Sequence, residues 1–99
     1  MGRPMKLVIL GEKGTMYTAK YTVDGLTQEE AGLMPDTIRF GGRNVEWEVL
    51  RPSGTQEFRV EFYVGELKRT STTSAGKSKI RGAIQYGSDQ ERYWAAAAD

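Results

Sequence analysis

The chain of 99 residues contains no cysteine and no histidine. Without cysteine there is no disulfide, no thiolate nucleophile and no cysteine-based zinc site, so packing alone must hold the fold together. Without histidine, serine–histidine and cysteine–histidine catalysis are excluded, together with the commonest general base and most transition-metal sites. Long apolar runs are missing as well. Leu7–Leu10 is a strand-sized piece, far short of the roughly 20 residues that cross a bilayer as a helix. Arg3 and Lys6 precede too short an apolar segment for a signal peptide. Lys6 also stands where a myristoylation signal opened by Gly2 needs serine or threonine. A soluble cytoplasmic protein with no membrane association is the expectation.

What is present is a turn-rich, well-solvated composition: 12 glycines, 38% hydrophobic residues and a mean hydropathy of −0.55. This length makes one domain over residues 1–99, with a modest core. The aromatics fall in patterned runs, which argues for a folded chain. The net charge of +1 hides an uneven distribution. Residues 46–67 carry Glu46, Glu48, Glu57, Glu61 and Glu66 against Arg51 and Arg59, whereas residues 68–87 carry Lys68, Arg69, Lys77, Lys79 and Arg81 with no acid. Such asymmetry points to an anionic partner at one end of the molecule. The pI of about 8.0 nevertheless lies below the roughly 9 of a dedicated nucleic-acid binder.

Periodicity reads mostly as strand. Met5–Leu10 is a short run buried on both faces, and Thr15–Val23 alternates Tyr17, Ala19, Tyr21 and Val23 against polar neighbours. The two are expected to form a hairpin across the GEKG turn. Thr27–Glu30 matches a capping box, which predicts a short helix near 27–32 that Gly32 and Pro35 stop. Asp36–Phe40, Asn44–Leu50 and Gln56–Val64 read as an antiparallel meander. Its register places Phe40 opposite Val45, Trp47 opposite Ile38 and Val60, and Val49 opposite Phe58. Outside, Arg39 faces Glu46 and Glu48 faces Arg59. Lys79–Tyr86 is a further strand. Ser88–Glu91 is a second capping box, and the alanines after it predict a terminal helix near 89–98. The expected fold is therefore α+β, mostly β, in the order ββα-βββ-βα. A strongly bent antiparallel sheet or partly open barrel fits that order, with a ubiquitin-like β-grasp as the alternative.

Functional candidates are few. Ala75–Ser78 imitates the end of a P-loop, but position 71 is serine rather than glycine and a strand, not a helix, follows. Ser74–Lys77 spells a serine–lysine pair without its accompanying motifs. Glu46 and Glu61, side by side in the expected register, form a carboxylate pair on a solvated face beside arginines, which is a charge mosaic rather than the desolvated setting that acid–base catalysis needs. No enzyme, cofactor or metal site is expected. The remaining candidate is a basic flexible loop over 68–81 with its adjacent strand. Lys68, Arg69, Lys77, Lys79 and Arg81 would follow a phosphate backbone, and Tyr86 would offer a stacking face. On that reading the chain is a non-enzymatic module binding an anionic partner, nucleic acid among the candidates. The alternative is a small adaptor or inhibitor of a larger protein, of mobile-element or phage type, docking through a sheet edge or an aromatic patch.

Overall fold

Nine stretches of the chain are extended, and in most of them every second side chain is buried. The computed structural model describes residues 3–87 and 90–99. The strands are β1 (Arg3–Gly11), β2 (Met16–Val23), β3 (Leu26–Leu33), β4 (Asp36–Gly42), β5 (Val45–Leu50), β6 (Phe58–Val64), β7 (Leu67–Thr73), β8 (Lys79–Tyr86) and β9 (Glu91–Ala98). They form two antiparallel sheets, one of four strands in the order β4-β1-β6-β7 and one of five in the order β3-β2-β5-β8-β9. The buried faces of both sheets make one core, in which Leu7, Ile9, Val60 and Phe62 meet Tyr17, Trp47, Val49 and Ile84. Trp47 and Phe62 stack across the sheets with ring centroids 6.2 Å apart, and Tyr21 stacks on Phe40 at 5.0 Å. The fold is thus an all-β sandwich with no closed barrel among the described residues.

This overturns the expected α+β architecture, and with it both the bent or partly open barrel and the β-grasp. The segment 27–32 is strand, not helix. Asp24 and Gly25 both have positive φ (48° and 89°), the geometry of a two-residue hairpin turn whose twist suits the flanking strands. That turn lays β3 along β2 through eight paired positions. A helix of one or two turns bears the nucleation cost with few bonds in return, so the long ladder wins over the local capping box. The segment 91–98 is likewise strand. Its alanines favour a helix, yet eight pairs to β8 and the partial burial of Ala95 and Ala97 against the core outweigh that preference. Ser88 and Asp89 of the second capping box lie outside the described residues.

The strands read at 5–10, 15–23 and 79–86 are present, but β1 and β2 do not form a hairpin; they belong to different sheets. Nor do β4, β5 and β6 form a meander, because each connection between them crosses to the opposite sheet. The expected inward set survives: Ile38, Val45, Trp47, Val49, Phe58, Val60 and Phe62 are all buried, and Phe40 half-buried. The apolar faces oppose one another across the sandwich instead of along one ribbon. The pairs Arg39–Glu46 and Glu48–Arg59 therefore fall on opposite outer surfaces. The charge mosaic exists elsewhere, as the row Glu29–Lys20–Glu48–Arg81 across β3, β2, β5 and β8.

Three polar groups fix the crossings, Asp24 at the surface and Arg51 and Ser74 buried. The Asp24 carboxylate accepts the backbone N–H of Asn44 at 2.8 Å and of Arg43 at 3.1 Å. These bonds hold its pKa below the ordinary carboxylate value. Arg51 is buried, and its guanidinium donates to the carbonyls of Gly54, Gln56 and Lys77. It pins the crossing of residues 51–57 to that of residues 74–78. Ser74 closes the second crossing, donating its N–H to the Phe58 carbonyl at 2.8 Å and accepting the Phe58 N–H on its hydroxyl at 3.1 Å.

Candidate anion-binding face

The basic stretch expected as a flexible loop is two strands, β7 and β8, joined by the short crossing that Ser74 anchors. Its cations are dispersed by strand alternation. Lys68 lies on the outer face of the four-stranded sheet, its Nζ 3.3 Å from Glu61 Oε2. Arg69 is the extra residue of a bulge where β7 shifts register against β6. The bulge turns its side chain toward β9, and its Nε lies 2.6 Å from Glu91 Oε1. Lys77, in the crossing, reaches Asp99 at 3.3 Å, and Lys79 stands 3.9 Å from Glu48. Arg81 pairs in register with Glu48 on the outer face of the five-stranded sheet. Tyr86 accepts a hydrogen bond from Arg3 at 3.1 Å, and the Arg3 guanidinium covers its ring at 4.5 Å. The six expected residues are not brought together, and four of the five cations already have carboxylate partners. The carboxylates of Glu46 and Glu61 are also apart, on outer faces of different sheets.

A different set converges. Across the outer face of the four-stranded sheet, Arg39, Lys6, Tyr63 and Lys68 occupy one continuous row, one residue from each strand. Lys6 and Arg39 are direct cross-strand neighbours, and like charges so placed repel. Neither makes an ion pair among the described residues. The Lys6 ammonium lies 4.6 Å from the Tyr63 ring centroid, an attraction to the ring face that offsets part of this repulsion. Two rows along the same face, Arg59 lies 3.7 Å from the same carboxylate that holds Lys68.

Among the described strand residues, Glu61 is thus the single acid of this face. It is buried, it accepts the Tyr63 hydroxyl at 3.1 Å, and it is shared between Arg59 and Lys68. Four cations against one carboxylate leave the face at +3, when the whole chain carries +1. Sequence reasoning missed it because it set Arg39 opposite Glu46 and placed Lys6 in a strand buried on both faces. Only the pairing of β1 with β4 makes them neighbours.

No protein-family model matches the chain, and neither a curated protein nor a solved structure does. The site must therefore be read from its chemistry alone. Among the described residues, no group of three or more aspartates and glutamates is placed to hold a metal ion. No helix among them is long and apolar enough to cross a membrane.

Proposed function

We propose that this chain is a non-enzymatic binding module that holds an anionic partner, nucleic acid by preference, on the outer face of its four-stranded sheet. The observation that carries this reading is the row Arg39–Lys6–Tyr63–Lys68. Two unpaired cations held side by side cost stability in the isolated protein, and a phosphate between them removes that cost. The expected loop thus contributes Lys68 and the outer face of β7, while Lys79 and Arg81 belong to the opposite, charge-balanced surface. The adaptor reading draws on another surface, the edge strand β3.

Binding of a labelled single-stranded oligonucleotide, followed by anisotropy at several salt concentrations, tests the proposal. Three phosphates neutralised on a single strand give a slope of log K against log salt of about −2. The double substitution Lys6→Glu/Arg39→Glu should remove binding, and Lys79→Glu/Arg81→Glu should leave it. Binding that ignores the first pair, or is absent at low salt, overturns the assignment.

A further inference from the structure

The two sides of the sandwich are unlike. On one side β7 and β9 are tied by Arg69 and Glu91. On the other, β3 projects as the edge of the five-stranded sheet, with seven of its eight residues exposed, Leu26 at 72% and Leu33 at 56%. Its register to β2 is unbroken over all eight positions, so one row of backbone donors and acceptors faces outward along its whole length. The usual devices that blunt such an edge are missing from it: it has no bulge, no proline and no lysine.

Two glutamates are the only protection, and they discriminate by charge. Antiparallel pairing of β3 with its copy about a central two-fold axis sets Glu29 against Glu30, or either against itself. A second copy of this strand is thereby repelled, and a strand carrying cations there is attracted. The faces differ as well. Glu29 stands on the outer surface beside Lys20, whereas Glu30 points into the seam, accepting the Tyr21 hydroxyl at 2.7 Å. Asp36, which accepts the Tyr17 hydroxyl at 2.6 Å, adds a second acid to that seam. At the opposite end of β3 the seam opens into a groove of about 400 Å³ lined by Tyr21, Val23, Leu26, Gln28, Arg39 and Phe40.

From this we infer that β3 is the docking edge for an extended basic segment of a protein partner, added antiparallel as a sixth strand. Strand alternation specifies its chemistry. Adjacent Lys or Arg residues oppose Glu30 in the seam and Glu29 outside it. Three positions after the second cation, a large apolar side chain opposes Leu26 and enters the groove beside Phe40. The inference rests on the adaptor reading and not on the basic face, which repels such a segment.

The probe is a labelled peptide, Thr-Val-Lys-Lys-Thr-Thr-Leu-Thr, titrated with the full chain. It should bind saturably. Charge reversal by Glu29→Lys/Glu30→Lys should weaken it about tenfold or more, and so should N-methylation of the peptide amides that face β3. Glu29→Lys alone, which leaves the Tyr21 bond intact, should give an intermediate loss. No binding, or binding indifferent to N-methylation or to the reversed charges, overturns the inference. A Lys6→Glu/Lys68→Glu chain separates the two proposals, since neither residue lines the groove and the variant should lose the oligonucleotide and keep the peptide.

Discussion

Gly82 shows how much one residue decides. A Cβ there would stand 2.5 Å from Trp47 Cζ2 and 2.5 Å from the Trp94 carbonyl oxygen. Neither neighbour can move aside, because the indole is packed in the core against Phe62 and the carbonyl belongs to the β9 backbone. Gly82→Ala should therefore lower the urea midpoint, by about 1–3 kcal/mol of stability. An unchanged midpoint would mean that the ring does not sit over the backbone. Within Lys79–Tyr86 the sequence marks this glycine only as a member of the inward set, and the reason for it lies in a residue of another strand. Arg51 is less legible still. By composition it is one more surface charge, yet it is buried and bonded to three carbonyls.

At the scale of the element, the legible features were those set by period two. The alternation over 15–23, 44–50, 56–64 and 79–86 identified strands and most of the core, since burial follows side-chain direction whichever sheet a strand joins. Partners were not legible. Even the two residues between β4 and β5 make a crossing where a hairpin was expected, and the choice rests on polar groups such as Asp24 that act across distant parts of the chain. The two helices failed for a related reason, because capping boxes and alanines report local preference and an eight-pair ladder outbids it. The sign of a substitution in β9 discriminates the states. Ala96 is exposed and opposes Arg81 on the outer face. Ala96→Val should stabilise a strand by up to about 1 kcal/mol, whereas a helix would lose roughly half that. Thermal melting of the variant reads the sign directly.

At the scale of the whole molecule, the tie between Tyr17 and Asp36 joins the sheets on the open side. Burial, then the bond to Asp36, raises the Tyr17 pKa, and burial with the bond to Glu30 pushes Tyr21 up to about 12. Both folded values exceed the ordinary value of 10.0. The stabilising contribution is therefore complete below pH 10 and is lost as pH climbs through 12. Unfolding midpoints measured across that window should fall in the parent chain and fall less in Tyr17→Phe/Tyr21→Phe. Equal slopes would remove the tyrosines from the account. The crossing connections have a consequence in time as well. Since β1 lies between β4 and β6, the earliest strand leaves the ribosome without its neighbours, and Leu7 meets Phe62 only after most of the chain exists. Assembly must then be late and concerted, on the order of milliseconds to seconds rather than microseconds. Until then the apolar run Leu7–Leu10 lacks the neighbouring strands that flank it in the fold.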